Sequence, residues 1–343
     1  MTELRVAIPT LDRAGALRSL EEVRQVADSH SSVCLDFGPL RRSEPLGMLL
    51  FAASMKEFRG GFRSLRPDLK FRAIGHEGKQ YQAHMGFFKM FGLDFGSIPN
   101  ESSGSDKYEP IRFLDLKEIE QEAADEYLEV HDGIQRRSHE LAKLLIRDDL
   151  PDVIETLAYS LREIIRNSLE HARVEGVWYC AQYWPSRDLV ELALLDQGIG
   201  IRRSLGRNPH LSLASDQEAL KQALQPGISG VAYKGAPKRR ADVWQNSGFG
   251  LYMTSRLAEK HGEFFIGSGD AGLVLSKGKE SATTFGLAGT AISIRFKPQK
   301  VAALPDTLQA LRRAASERTG PGQDAMPSTA SMSSMVISRD NKS

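Results

Sequence analysis

Apolar residues alternate between strand-like and helix-like spacing along the first hundred residues. Spacing of two residues, or a short apolar run, predicts strands at 4–10, 32–38 and 69–74. Spacing of three and four residues predicts helices over 44–58 and 81–91. This alternation predicts a small α/β domain over residues 1–105.

The same patterns divide the rest of the chain into three parts. A strand at 110–116 and a charged helical stretch over 117–146 predict a linker at 106–150. A long helix over 151–173, a strand pair at 177–184 and 189–195, and strand-like runs within 283–296 predict a second domain at 151–298. Residues 299–343 are rich in Ser and Met, which predicts a short helix and a disordered tail.

Composition excludes several classes of function. The chain has 343 residues, of which 41% are hydrophobic and 26% charged, as is typical of globular proteins. A formal charge of +1 gives no signal for nucleic acid. No apolar run reaches the ~18 residues of a membrane span and no signal-peptide pattern occurs, so we expect a cytoplasmic protein with no membrane partner. Cys34 and Cys180 lie in separate apolar runs, which predicts packed thiols.

A first candidate patch lies on the helix predicted over 151–173. Glu163, Asn167 and His171 recur every four residues, so they share one face, with Glu170 beside them. The amide oxygen of Asn167 suits a Mg²⁺ ion that is already held by phosphates. Glu163 lies one turn earlier, where it can orient a water or accept a proton from an attacking hydroxyl. The alternative is a solvated helix face.

A second patch follows the predicted strand at 189–195. Asp196 ends this apolar run, and a buried carboxylate requires hydrogen-bond donors. The exocyclic amine of adenine is such a donor. Gly198 and Gly200 lack a β-carbon and let the backbone approach a ring and turn sharply. The alternative is an ordinary glycine turn.

A third patch reads Asn-Ser-Gly-Phe-Gly-Leu and opens a helix. Its predicted ligand contacts are Ser247, Gly248, Phe249, Gly250 and Leu251, because the free amides of a helix start favour phosphate oxygens. Thr290, in the last strand-like run, can contact a phosphate or a water. The segment between the second and third patches has far more basic than acidic residues, which predicts a mobile basic lid. Its basic members are Arg202, Arg203, Arg207, Lys221, Lys234, Lys238, Arg239 and Arg240.

These motifs, in this order, resemble those of the GHKL (histidine kinase-like, Bergerat) ATPase superfamily. Glu163-x-x-x-Asn167 resembles its first motif, Asp196-x-Gly198-x-Gly200 its adenine-reading motif, and Gly248-x-Gly250 and Gly289-Thr290 its later ones. The resemblance covers about residues 150–298. It implies an α/β (α+β) sandwich with a mixed sheet, helices on one face, and ATP with Mg²⁺ beneath a lid.

The first hundred residues resemble the STAS-like domains of anti-anti-sigma factors. The resemblance rests on the strand Ser-Val-Cys-Leu-Asp-Phe-Gly, the helix from Glu44, and the later Gln-Ala-His-Met-Gly-Phe-Phe helix. In that family a serine beside the helix start is phosphorylated. Ser43 lies at this place, but its neighbours depart from the family pattern, so we expect a helix-capping role for Ser43.

The segments on either side of these motifs argue against two classes of ATP-binding protein. Ser138-His139-Glu140-Leu141 mimics a histidine-kinase phosphoacceptor, but only 28 residues separate His139 from Asn167, too few for the required helical hairpin. Only 45 residues follow Pro298, which argues against a gyrase-like clamp. What remains resembles the anti-sigma-factor type of kinase. We therefore expect a regulatory ATPase or serine/threonine kinase with a protein partner. The alternative is a nucleotide-gated binding switch, and 117–146 can pair two chains as a homodimer.

Overall fold

The computed structural model describes residues 2–26, 29–127, 129–146, 150–168, 174–230, 233, 250–298 and 310. Its strands are β1 (Thr2–Ala7), β2 (Thr10–Leu11), β3 (His30–Asp36), β4 (Arg42–Ser43), β5 (Lys70–Ile74), β6 (Tyr108–Asp115), β7 (Gly176–Trp184), β8 (Leu189–Asp196), β9 (Gly262–Ser276) and β10 (Lys279–Phe296). Its helices are α1 (Arg13–Arg24), α2 (Pro45–Leu65), α3 (Gln80–His84), α4 (Phe87–Met90), α5 (Leu116–Asp125), α6 (Val130–Leu145), α7 (Pro151–Asn167), α8 (Ile201–Leu205), α9 (Asp216–Ala223) and α10 (Gly250–His261). The tail predicted over 299–343 lies outside the described residues, apart from Ala310.

The N-terminal region, residues 2–105, contains a three-stranded parallel sheet with the order β1-β3-β5. The connection from β1 to β3 includes α1, whose first turn is capped by Asp12 through a 2.8 Å hydrogen bond from the Gly15 amide. The connection from β3 to β5 includes α2. The mixed α/β class predicted from the alternation of strands and helices is confirmed for this region.

The C-terminal half contains a five-stranded sheet with the order β6-β7-β8-β10-β9. All four pairings between neighbouring strands are antiparallel, so the mixed sheet predicted for this half is wrong. Two of the four pairings are hairpins: β7 with β8, and β9 with β10 around Lys277 and Gly278, both of which have positive φ. β6, predicted as part of a linker, is the edge strand of this sheet.

Both faces of the five-stranded sheet are covered. Along β8, Ala193 and Leu195 belong to an apolar cluster shared with the N-terminal region, whereas Leu192 and Leu194 pack with helices α5, α6, α7 and α10. This is why the strand reads as a continuous apolar run rather than an alternating one. α2 lies against β7, β8 and β10, so the N-terminal region forms the second layer of a shared core.

A buried ionic network joins the two halves. Glu191 of β8 is fully buried and accepts hydrogen bonds from Arg295 Nη2 at 2.7 Å and from the Leu46 amide at 3.1 Å. Arg295 also pairs with Glu44, the residue before α2. The carboxylate of Glu191 therefore satisfies an amide in the first turn of α2. Ser43, expected to cap this helix, lies in β4 and its hydroxyl accepts a hydrogen bond from Gln82 Nε2 at 2.7 Å.

Four further segments differ from the sequence prediction. The helix predicted over 81–91 is broken at Gly86, whose φ of 78° separates α3 from α4. The charged stretch over 117–146 forms two helices, α5 and α6. α1 and β9 were not predicted, although Asp12 followed by the i, i+3 pair Leu20 and Val23 is a recognisable helix signal.

Cys34 and Cys180 are buried free thiols, as predicted. Among the described helices, none combines the length and apolarity that a bilayer crossing requires.

Candidate functional site

A cavity opens where β8 ends at Asp196. Thr290 of β10 lies directly opposite Asp196 in the antiparallel register. Asn167 at the end of α7 and Gly250 at the start of α10 also line the cavity. Its volume, counted out to the open mouth, is about 800 Å³.

The tertiary structure brings together motifs that are far apart in the sequence. The cavity is lined by six of the predicted site residues: Asn167, Asp196, Gly200, Gly250, Leu251 and Thr290. Five others lie outside the described residues: Glu170, His171, Ser247, Gly248 and Phe249. Gly198 supports Asp196, and Glu163 lies beside the cavity rather than in its wall.

Asp196 contributes a carboxylate that is only 7% exposed. The Gly198 amide donates to its Oδ1 at 3.0 Å, and Thr290 and the Ser168 hydroxyl provide further hydrogen bonds. Burial nevertheless dominates and raises the pKa of Asp196 to about 6, while these hydrogen bonds oppose the rise. A buried carboxylate with this pKa favours a ligand that donates a hydrogen bond to it.

The glycine turn after Asp196 is held against both strands of the β9–β10 hairpin. Gly200 has a φ of 77° and precedes α8. The Ile201 amide donates to Ser268 Oγ at 3.0 Å, and this hydroxyl donates to the Gly289 carbonyl at 2.7 Å. The turn after Asp196 and the Gly289-Thr290 segment are therefore joined through Ser268.

Gly289 lies at the tightest point of this arrangement. Its φ is 88°, and a β-carbon there would collide with the backbone carbonyl of Asp196. We expect Gly289→Ala to lower the free energy of unfolding by about 3 kcal/mol, because backbone strain and a backbone collision add. Denaturant titration measures this change.

Gly278 is the matched control for this substitution. It also has a positive φ, 74°, but a β-carbon there would meet nothing within 4 Å. Gly278→Ala should therefore lose only about 1 kcal/mol. Equal losses in the two variants would show that the close approach to Asp196 is not tight.

The carboxylate of Glu163 is paired with Arg162, whereas a general base needs a free carboxylate oxygen. Its Oε1 accepts a hydrogen bond from Arg162 Nη2 at 3.0 Å, and Arg162 in turn donates to Gln135 and stacks on Tyr159. Its Oε2 lies so close to Gly250 that a β-carbon there would collide with it. Glu163 thus joins α7 to the start of α10, and its use as a base requires the ion pair to open.

The first part of the predicted lid is folded onto the sheet. It forms α8 and α9, and Arg202 donates to the carbonyl oxygens of Leu213 and Ala214. Lys221 pairs with Glu280 of β10 at 3.4 Å. Of the basic lid residues, Lys234, Lys238, Arg239 and Arg240 lie outside the described residues.

Several cavity residues were not selected as site residues from the sequence. Ser168, Ser204, Ser229 and Gly230 line the cavity, and Asn208 donates to the Ser229 carbonyl at 2.9 Å. Ser168 follows Asn167 in the first motif, so the sequence offered a reason to select it as a site residue. Ser204 and Ser229 belong to no motif, and only the folding of the segment after Gly200 brings them to the cavity.

The lining fits one end of an adenine nucleotide. Ile164, Val177, Leu194, Ile266 and Ile292 supply an apolar wall for a planar ring, next to the carboxylate of Asp196. Among the described residues, no cluster of three or more His, Cys, Asp or Glu side chains can hold a metal ion. Mg²⁺ at this place would be held by the amide oxygen of Asn167 together with ligand phosphates.

The comparisons with known proteins returned no relative: no family model, curated protein or solved structure matches this chain.

Proposed function

We propose that this chain is a cytoplasmic regulatory ATP-binding protein of the GHKL type, which hydrolyses ATP or phosphorylates a serine or threonine of a partner protein. The observation that carries the proposal is the nearly buried carboxylate of Asp196 in an apolar cavity, opposite Thr290 and beside Asn167. A buried acid in such a wall is unfavourable without a donor, and the amine of adenine supplies one.

The roles of the other residues follow from their places in the cavity. Gly200 and Gly250 present backbone to the cavity, and their missing β-carbons leave room for Ser268 Oγ and Glu163 Oε2. Asn167 would hold Mg²⁺ through the phosphates, and the ion would neutralise phosphate charge when ATP is bound. Leu251 and Thr290 complete the wall.

The ion pair of Glu163 favours a second candidate function. Arg162 Nη2 occupies Oε1 of Glu163 at 3.0 Å, so this oxygen can contact an attacking water or hydroxyl only when the pair opens. A nucleotide-gated switch, in which ATP orders the chain for a partner without significant turnover, needs no such base. The α5–α6 pair, predicted as a dimer element, is one surface that such a switch can present.

Substitution of Glu163 separates the two functions. In Glu163→Gln we expect ATP affinity to change little, because Glu163 does not line the cavity, and phosphate release or transfer to fall by about 100-fold or more. Calorimetry with ATP and Mg²⁺ measures the first quantity, and release of labelled phosphate measures the second.

Glu155→Gln is the control, because Glu155 lies on the same helix and pairs with the surface residue His139. This variant should retain the wild-type rate. ATP binding without turnover in both wild type and Glu163→Gln would favour the switch over the enzyme. Failure of the wild type to bind ATP would reject both functions.

A further inference from the structure

A second cavity lies between the N-terminal region and the five-stranded sheet. It is lined by Leu20, Val23 and Arg24 of α1, by Ser54, Glu57 and Phe58 of α2, and by residues 286–288 of β10. Its volume is about 630 Å³ out to the open mouth. On each helix the lining residues are three and four apart, so each helix presents one continuous face to the cavity.

The cavity contains a buried hydroxyl that lacks a partner. Ser54 is 7% exposed, and its Oγ makes no hydrogen bond within the described part of the chain. Such a group destabilises the folded state unless a polar atom in the cavity bonds to it. The cavity is therefore suited to an occupant with polar atoms.

Two opposite charges lie at the mouth of the same cavity. Arg24 donates from Nη2 to the Gly286 carbonyl and from Nη1 to Glu21 at 3.5 Å, and further N–H groups of its guanidinium remain for a ligand. Glu57 accepts a 2.8 Å hydrogen bond from Gln197 at Oε1, so Oε2 is the atom available to a ligand cation. Leu20, Val23, Phe58 and Leu287 add apolar walls.

We propose that this cavity binds an α-amino acid with an apolar side chain. Arg24 would receive the carboxylate, since guanidinium and carboxylate form paired hydrogen bonds. Glu57 would receive the ammonium group, and Ser54 would complete the polar contacts. The apolar walls would cover the side chain. A ligand with only a carboxylate would be repelled by Glu57, and a ligand with only an ammonium group would be repelled by Arg24.

The cavity is also connected to the Asp196 site, and this step rests on the proposed ATP function. Residues 286–288 continue directly into Gly289 and Thr290. Glu57 is hydrogen-bonded to Gln197, the neighbour of Asp196. A ligand that holds these two segments stabilises the arrangement of Asp196 and Thr290, so ATP affinity should rise about fivefold when the amino acid is bound.

The site can be tested without nucleotide, by calorimetry on the full chain with three probes of similar shape. L-Leucine carries both charged groups, 4-methylpentanoate only the carboxylate, and isopentylamine only the ammonium group. We expect L-leucine to bind, and each of the other two to bind at least about tenfold more weakly. No L-leucine binding up to about 10 mM would overturn the proposal.

Charge-neutral variants locate the binding. Arg24→Gln and Glu57→Gln should each weaken L-leucine binding about tenfold, and the side-chain oxygen that remains in Glu57→Gln can still accept the bond from Gln197. Glu22→Gln is the control: Glu22 is an exposed residue of α1 that does not line the cavity, so affinity should stay unchanged. Unchanged affinity in both Arg24→Gln and Glu57→Gln would overturn the assignment.

The proposed effect of L-leucine on ATP affinity is tested by a separate measurement. If wild type binds ATP, its affinity should rise with L-leucine, and the same rise in Glu57→Gln should need about tenfold more L-leucine. An unchanged ATP affinity in wild type would overturn the connection. If wild type binds no ATP, the proposed function fails, and the L-leucine titrations still decide the second cavity by themselves.

Discussion

Asp196→Asn is expected to abolish ATP binding and, at pH 8, to make the ligand-free protein more stable. In asparagine the single acceptor oxygen is needed by the Gly198 amide, which leaves the NH₂ group facing the adenine amine, where an acceptor is required. A mismatched polar pair in a closed site lowers affinity by about 100-fold or more. The gain in stability has a separate cause, which is the burial of the charge.

The direction of the pH effect follows from the pKa. The pKa of Asp196 is raised from 3.8 to about 6 in the folded protein. The folded state therefore holds the proton more tightly than the unfolded state. The resulting stabilisation is fully present below pH 3.8 and is lost as the pH rises through 6. The lost free energy is about 3 kcal/mol at pH 8.

Denaturant titrations of wild type and Asp196→Asn between pH 4 and pH 8 measure this effect. The difference in unfolding free energy between the two proteins should grow with pH in favour of the variant. Asp94→Asn is the control, because Asp94 is an exposed partner of Lys89 and has no burial to relieve. A variant that is less stable than wild type at pH 8 would refute the burial of a charged Asp196.

Arg295→Met is expected to destabilise the protein by about 3–5 kcal/mol. Arg295 is the cation that faces two buried carboxylates, Glu191 and Glu44, whose side chains are 0% and 6% exposed. Methionine fills a similar space but leaves Glu191 without a charged partner. Removing one partner of a buried pair is far more costly than replacing the whole pair by apolar groups.

The pH dependence of this variant provides a second test. Burial raises the pKa of Glu191, and the positive charge of Arg295 opposes that rise. Without Arg295 the folded state holds the proton on Glu191 more tightly still, so the destabilisation should be smaller at pH 5 than at pH 8. Adding Glu191→Gln should recover part of the loss, since glutamine can still accept the Leu46 amide.

Arg13→Met is the matched control. Arg13 also links the two halves, through Glu263 at 3.3 Å and the ring of Phe265, but its side chain and that of Glu263 are 27% and 31% exposed. We expect a loss of about 1 kcal/mol there. Equal losses for Arg13→Met and Arg295→Met would show that the buried network contributes no more than a surface contact.

The candidate site illustrates which parts could be predicted from the sequence. Asp196, Asn167 and Thr290 were chosen by motif, and the structure places all three around one cavity. Glu163 was chosen by the same reasoning, but its pairing with Arg162 depends on side-chain packing between α6, α7 and α10. The spacing of residues along the sequence does not predict which neighbouring charge a buried side chain pairs with.

The sequence by itself determined the strands and helices whose apolar spacing is regular, the acid at the end of β8, and the glycines at tight turns, because these depend on local sterics and periodicity. Tertiary structure decided the rest. The burial of β8 on both faces, the network of Glu191, Arg295 and Glu44, and the second cavity around Ser54 all join segments more than 100 residues apart. Such contacts arise only when the N-terminal region packs on the five-stranded sheet, which buries polar residues that are unremarkable in sequence.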